Sequence, residues 1–275
     1  MSAATVAACL LAPATASAAS TRVAALQVAL RAHAVYDGAV DGLSGPGTSS
    51  GLRRFQARAG LVPDGIAGPR TRRALGTPGR HPVGSRPLRG GHRGWDVAAL
   101  QFALETHGFP CGSVDGGFGA RTSAAVRRLQ AFAGLPTDGV AGPATLAALA
   151  RPPVSSPPLR RPISAPLGDR YGPRGASFHA GQDFPAPTGT PVTAAASGRV
   201  AFAGYDDGWG LTVVLDHGNA VRTRYAHLSA ALVTPGTSVT TGATIARVGA
   251  TGHATGPHLH FEVTIRGANA APPFS

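Results

Sequence analysis

One segment of the chain occurs twice, and the second copy follows the first at an offset of 74 residues without a gap. Residues 23–27 (VAALQ) return as 97–101 with the same letters, and 64–69 (DGIAGP) return as 138–143 (DGVAGP). Self-similarity at a fixed period indicates a repeated structural unit. The sequence therefore predicts two small domains of the same fold in its first half.

Each copy contains three short stretches with helical character. In the first copy they are residues 23–32, with apolar side chains at helical spacing, 48–59, and 68–75, where Pro69 occupies the first turn. Asp-Gly pairs mark the tight turns between them. The pattern predicts two all-α three-helix domains, which we name repeat 1 (residues 22–76) and repeat 2 (residues 96–150).

The last third of the chain has the pattern of an antiparallel all-β domain, which we name the β domain (residues 168–275). Short strands alternate with turn signals, and only the segment 229–232 is ambiguous between strand and helix. The predicted strands are 192–195, 199–204, 211–216, 220–226, 244–248 and 259–265. Residues 151–167 are rich in proline and predict an extended, semi-rigid linker. The fold class is therefore multidomain.

The charge is strongly positive and unevenly spread. The net charge of +12 comes from 25 Arg, since the chain has no lysine, and most of the excess precedes Pro152. Such a surface favours polyanions. Aromatic residues form only 6% of the chain and are not interleaved with the arginines, so we do not expect a nucleic-acid partner. Acidic cell-wall polymers suit the positive charge as well as nucleic acid does. An arginine bias of genome composition on a solvated surface would also account for it.

The first 18 residues resemble a secretory signal, with an apolar run followed by small residues. Cys9 lies too close to the start for the apolar segment of a lipoprotein signal, so cleavage after Ala18 is preferred to lipidation. Cys111 is then the one cysteine of the mature chain, and no internal disulfide is expected. No other apolar run approaches the roughly 20 residues of a membrane span.

Near the end of the chain, His258-Leu259-His260 begins an alternating polar and apolar strand. Its two imidazoles share a face, roughly 6.6 Å apart at a strand rise of about 3.3 Å per residue. Alone, such a pair also fits a solvated strand face. His179 and Asp183 add an imidazole and a carboxylate, and a hydrolytic zinc site typically uses three protein ligands. The two residues can meet only if the chain bends between them, and Gly181 is the expected position of the bend because glycine tolerates unusual backbone angles.

Three motifs together resemble the lysostaphin-type (LytM-like) zinc endopeptidases of bacterial cell walls. They are residues 179–183 (HAGQD), 225–228 (YAHL) and 256–262 (GPHLHFE). The resemblance implies that the β domain is a catalytic domain in which His179, Asp183 and His260 hold Zn2+. It also implies that His258 and His227 act beside the metal.

The two repeats resemble the small peptidoglycan-binding domain that accompanies many wall hydrolases. Together, the resemblances predict a secreted, wall-associated, monomeric enzyme that hydrolyses peptide bonds in peptidoglycan stems or cross-bridges. Two alternatives stay open: a non-catalytic wall-binding or hydrolase-activating protein, and an amidase or carboxypeptidase that uses a similar site on another wall bond.

Other polar residues near the motifs receive smaller predictions. Tyr225 should share a strand face with His227 and is expected to pack in the core rather than offer its hydroxyl. Glu262 should lie on the side of the site histidines, within reach of a hydrogen bond to a ligand imidazole. His217 is expected to close a hairpin turn, and His253 occupies a position that the resemblance treats as variable.

Overall fold

A computed structural model describes residues 19–76, 81 and 84–274. The predicted signal (residues 1–18) and Cys9 lie outside these residues. The described part of each repeat has three α-helices, as the sequence predicts. They are α1 (Thr21–Ala32), α2 (Pro46–Arg58) and α3 (Pro69–Ala74) in repeat 1, and α4 (Trp95–Thr106), α5 (Ala120–Phe132) and α6 (Pro143–Leu149) in repeat 2.

A buried glutamine organises each half of each repeat. The Gln101 side-chain amide donates to Asp115 Oδ1 at 2.9 Å, to the Gly117 carbonyl at 3.0 Å and to Thr122 Oγ1 at 3.2 Å. Its oxygen accepts from the Gly116 amide at 2.8 Å. Because an unsatisfied buried amide is costly, this network holds the Asp-Gly turn against the helices. The same arrangement recurs around Gln27, Gln56 and Gln130.

The two repeats pack against each other through their first helices. Helix α1 contributes Ala24 and Ala25, and α4 contributes Ala98, Ala99 and Phe102 to one buried cluster. Small side chains allow the two helix backbones to approach closely, so the repeats form a pair.

The β domain contains eleven strands among the described residues. They are β1 (Gly172–Arg174), β2 (Ser177–His179), β3 (Gln182–Pro185), β4 (Pro191–Thr193), β5 (Gly198–Asp206), β6 (Gly210–Asp216), β7 (Val221–Ala231), β8 (Ser238–Val239), β9 (Thr244–Val248), β10 (His258–Ile265) and β11 (Ala268–Ala270). The main sheet has the order β11-β10-β7-β6-β5-β8, and β3 adds to β10. All these pairings are antiparallel, which confirms the predicted class.

The bend after His179 lies where the sequence places it, but its cause differs from the prediction. Strand β2 ends at His179 and pairs with β1, while β3 begins at Gln182 and pairs with β10. Gly181 does not have a positive φ. Instead, a Cβ there would lie 2.6 Å from His260 Nε2 and 2.5 Å from the Phe261 carbonyl oxygen, so glycine is required by the close approach of β10.

Strand β7 departs from regular alternation at His227, whose φ is +59°. The register against β6 slips there, since Leu211 pairs with Leu228 but Val213 pairs with Tyr225. This bulge turns His227 away from the face of Tyr225, so the prediction that the two share a face is wrong. Residues 229–231, in the segment of ambiguous pattern, continue the strand.

The proline-rich segment runs along the β domain in its second half. Ile163 is buried in the core of that domain, and the Arg160 amide donates to the Ala195 carbonyl at 2.9 Å. The Pro162 carbonyl accepts from the Thr193 amide at 2.8 Å. Residues from Leu159 onward thus belong to the β domain rather than to a free spacer. Within the described residues, no helix has the length and apolar character that a membrane crossing requires.

Candidate metal centre

Two strand pairings bring the predicted metal ligands together. The antiparallel register of β3 and β10 places Asp183 directly opposite His260, and the β1–β2 hairpin brings His179 over the same point. Asp183 Oδ1 lies 3.1 Å from His179 Nε2 and 2.8 Å from His260 Nδ1, and the two nitrogens are 3.0 Å apart. Ligand atoms around a tetrahedral ion with bonds of about 2.0–2.1 Å lie roughly 3.3 Å apart, so the spacing suits a small cation.

Hydrogen bonds behind the two imidazoles select the nitrogens that face the centre. His179 Nδ1 lies 3.0 Å from the Arg170 carbonyl oxygen, and His260 Nε2 lies 3.2 Å from Glu262 Oε1. Each of these nitrogens must donate, because a carbonyl or carboxylate oxygen can only accept. In the neutral rings His179 Nε2 and His260 Nδ1 therefore carry lone pairs. Two lone pairs and a carboxylate oxygen converge, and a cation satisfies all three at once, so this group is able to hold a metal ion.

Charges around the centre support the same arrangement. Burial opposes ionisation of Asp183, but the adjacent His179 and His260 imidazoles, which donate to this carboxylate when they are protonated, outweigh it and hold its pKa well below the usual range. Arg174 Nη2 lies 3.0 Å from Asp183 Oδ2, which leaves Oδ1 facing the histidines. Burial lowers the pKa of His260, but hydrogen bonds to Asp183 and Glu262 reverse this effect and raise it.

Two more imidazoles stand beside the three. His258 Nδ1 lies 2.8 Å from the Gly256 carbonyl oxygen, and its Nε2 is 3.9 Å from Asp183 Oδ1. His227 Nδ1 lies 2.8 Å from the Thr251 carbonyl oxygen, and its ring centroid is 4.7 Å from that of His258. Burial lowers the pKa of His227, so this ring is neutral at neutral pH and its Nε2 can accept a proton.

The five side chains lie in an open cleft of about 820 Å³. The residues that line it include Arg174, Phe178, Trp209 and His253 of the β domain and Pro110 of repeat 2. The volume of the cleft lies within the range of about 300–1,000 Å³ that ligand sites commonly enclose.

Sequence reasoning missed three residues of the site. Trp209, in the turn between β5 and β6, stacks on His260 with ring centroids 4.7 Å apart. Arg224 lies over the Trp209 ring at 5.5 Å and places its Nε 3.4 Å from Glu262 Oε2. Arg174 holds the outer oxygen of Asp183. A tryptophan in a Gly-Trp-Gly turn was the available signal, because the chain has only two tryptophans.

The remaining sequence predictions have separate outcomes. Tyr225 is fully buried, and its hydroxyl accepts from the Ala195 amide at 2.8 Å, so it belongs to the core. The predicted hydrogen bond of Glu262 to a site imidazole is present, between Glu262 Oε1 and His260 Nε2. His217 lies at the β6–β7 turn, with Nδ1 2.8 Å from the Ser197 carbonyl oxygen. His253 lies in the cleft wall, outside the group of three.

The domains of this chain match known families. The profile of "Peptidase family M23" matches residues 177–272, and that of "Putative peptidoglycan binding domain" matches residues 19–75 and 93–149. The chain therefore carries a LytM-like domain of peptidase family M23 behind two peptidoglycan-binding domains.

Several curated proteins resemble part of the chain. It is 46% identical over 112 residues to the DD-carboxypeptidase/endopeptidase Mpg of Neisseria meningitidis serogroup B, covering 40% of this chain and 26% of that protein. It is 43% identical over 94 residues to the peptidoglycan DD-endopeptidase ShyC of Vibrio cholerae, with coverage of 34% and 22%. It is 37% identical over 113 residues to the murein hydrolase activator EnvC of Escherichia coli, with coverage of 40% and 27%. The chain thus spans about a quarter of the length of these relatives.

Proposed function

We propose that this protein is a secreted cell-wall hydrolase, a zinc-dependent endopeptidase that cleaves peptide bonds in peptidoglycan stems or cross-bridges. The observation that carries the proposal is the convergence of His179, Asp183 and His260 on one point within an open cleft. The membership of the β domain in peptidase family M23 and the endopeptidase names of two relatives support the same reaction class.

In this proposal His179 Nε2, Asp183 Oδ1 and His260 Nδ1 hold Zn2+. When bound, zinc supplies a Lewis acid that polarises a carbonyl and lowers the pKa of water toward about 7. The carboxylate offers one oxygen only, because Arg174 occupies the other. Glu262 fixes the tautomer and the orientation of the His260 ring.

His258 and His227 act as general acid–base residues and stabilise developing charge beside the scissile bond. Each uses Nδ1 to donate to a backbone carbonyl, so each presents Nε2 to the cleft as a proton acceptor in the neutral ring. One of them takes the proton of the attacking water and later delivers it to the leaving amine. Positioned acid–base groups of this kind typically contribute about 10²–10⁴-fold to the rate.

The proposed domain boundaries are a signal at residues 1–18, repeats at 22–76 and 96–150, and a catalytic domain that ends at residue 275. The linker predicted at 151–167 is shortened to 151–158, because residues from Leu159 onward pack in the β domain. In the proposed function, the protein is monomeric and is exported to the cell wall. The repeats bind peptidoglycan there, and their arginines add attraction to acidic wall polymers.

A cleavage assay combined with metal analysis tests the proposal. Purified peptidoglycan is digested with the wild type and with the His258→Ala, His227→Ala and His260→Ala variants, and zinc content is measured for each. We expect new amino ends in stems or bridges from the wild type. We expect retained zinc with about 10²–10⁴-fold lower turnover in His258→Ala and His227→Ala, and lost zinc in His260→Ala. His217→Ala, a histidine outside the cleft, serves as the control.

Two results would contradict parts of the proposal. Bare lactyl groups instead of new amino ends would indicate an amidase. Loss of zinc in His258→Ala with full zinc in His260→Ala would reverse the roles assigned to these two residues.

The similarity to EnvC supports a second candidate, a hydrolase activator. This candidate predicts that the purified protein releases no fragments alone and accelerates digestion by another wall hydrolase. It also predicts that Asp183→Asn leaves that acceleration unchanged, whereas the endopeptidase proposal predicts loss of cleavage in this variant.

A further inference from the structure

Repeat 2 is joined to the β domain by a shared core. Ala268 of β11 is fully buried and belongs to the apolar cluster of repeat 2, together with Leu104 and Phe109. Beside it, the Arg266 guanidinium lies 4.5 Å from the centroid of the Phe132 ring on α5. The end of the β domain thus completes the interior of repeat 2.

Backbone hydrogen bonds fix the relative position of the two domains. The Asn269 amide donates to the Gly108 carbonyl at 2.8 Å, and the Val114 amide donates to the Ala176 carbonyl at 2.7 Å. Repeat 1 adds a similar bond, from the Val40 amide to the Gly175 carbonyl at 2.8 Å. Bonds of this kind need matched backbone positions on both sides, so they define one docked arrangement.

The contact between the two domains leaves no room for a side chain at Gly108. A Cβ at Gly108 would lie 1.8 Å from the Asn269 carbonyl oxygen and 2.7 Å from its nitrogen. Gly108 also has a positive φ of +83°, but the equivalent residue of repeat 1 is Ala34, with φ +52°. The repeat fold therefore accepts alanine at this position, and glycine at 108 serves the approach of Asn269.

The docked position places repeat 2 at the metal centre. Pro110, two residues after Gly108, lines the cleft that contains His179, Asp183 and His260. Arg128 donates to the Pro110 carbonyl and ties it to α5. The lining of the cleft therefore includes a residue from outside the β domain.

We propose that repeat 2 is a fixed wall of the substrate cleft and that Pro110 is a specificity-determining residue, which packs against the peptide on one side of the scissile bond. This inference rests on the proposed function, because it assigns Pro110 to the subsite of a cleaved wall peptide. It differs from a tether, since a tether would raise the local concentration of enzyme on the wall without touching the bound peptide.

A soluble substrate distinguishes a role of repeat 2 as a cleft wall from a role as a tether to the cell wall. A short cross-linked muropeptide dimer has no polymer to which a tether can anchor, so a tether leaves its cleavage unaffected. In Gly108→Ala we expect KM for this dimer to rise about 10-fold, as for the loss of one apolar subsite contact. Hydrogen exchange should show lower protection of the Asn269 and Val114 amides. Metal analysis should show an unchanged zinc content. The reverse substitution at the equivalent site, Ala34→Gly, is the matched control and should leave both readouts unchanged.

A second variant keeps the test decisive if Gly108→Ala fails to fold. Pro110→Ala removes the ring from the cleft and keeps the two amide bonds, so we expect higher KM with unchanged amide protection. Wild-type KM in Pro110→Ala, or in an undocked Gly108→Ala, would overturn the proposal, and so would faster cleavage by either variant. If the wild type itself releases no peptide ends, the endopeptidase function and the subsite both fail, whereas amide protection still reports the docking.

Discussion

The hydrogen bond between Glu262 and His260 allows a quantitative test of the metal centre. Glu262 lies on the same face of β10 as His258 and His260, with a side chain only 7% exposed, and its Oε1 is 3.2 Å from His260 Nε2. Glu262→Gln keeps the size and an acceptor oxygen but removes the negative charge that strengthens His260 as a ligand. Loss of such partners typically lowers metal affinity about 10–100-fold, which corresponds to about 1.4–2.7 kcal/mol. We expect zinc affinity to fall by this factor.

The measurement is a competition between the protein and a chelator of known zinc affinity. Asp216→Asn is a suitable control, because Asp216 is a carboxylate of the same domain that lies at the β6–β7 turn. The control should bind zinc as tightly as the wild type. At saturating zinc, Glu262→Gln should recover most of its activity, since all three proposed ligands remain. An affinity within twofold of the wild type would refute the role assigned to Glu262.

Three further predictions concern stability and can be measured by denaturant unfolding. Tyr225→Phe should destabilise the β domain by about 1–3 kcal/mol, because the buried Ala195 amide loses its acceptor. Gln101→Leu should destabilise repeat 2 by at least that amount, because it leaves several buried polar groups without a hydrogen-bond partner. An unchanged midpoint of denaturant unfolding would contradict the role assigned to the Gln101 hydrogen-bond network. Burial raises the pKa of Glu105 from 4.5 to about 7. Its stabilising contribution is therefore complete below pH 4.5 and is lost as pH rises through 7, on the order of 3 kcal/mol; Glu105→Gln should remove this pH dependence.

The sequence alone predicted the parts of the structure that depend on local pattern. The 74-residue offset required two similar domains, and the alternation around His260 placed the site histidine and Glu262 on one face of a strand. Register then brought Asp183 opposite His260. The chain had to bend before Asp183 for any three-ligand set to form, so that bend was foreseeable.

The missed features depend on contacts between distant segments. Trp209 reaches His260 because a hairpin turn folds over the sheet, and no periodicity reports that contact. The need for glycine at position 181 arises from the approach of β10, not from its own backbone angle. Likewise, Gly108 looks like an ordinary helix terminator in the sequence, and only its distance to Asn269 reveals the docking of repeat 2.

The positive φ of His227 allows a test of whether the backbone is strained in order to place this side chain in the cleft. A regular strand would place His227 and Tyr225 on one face, so either the histidine would enter the core or the tyrosine would enter the cleft. The bulge resolves this conflict at the cost of a left-handed residue with φ +59°, a conformation that costs a non-glycine residue roughly 1–2 kcal/mol. His227→Gly should therefore be more stable than His227→Ala by about 1 kcal/mol, while both retain zinc and lose turnover. At Ala203, which lies on β5 without a positive φ, the glycine variant should be less stable than the alanine of the wild type. If glycine destabilises position 227 as it does position 203, the backbone of His227 is unstrained and the bulge needs another explanation.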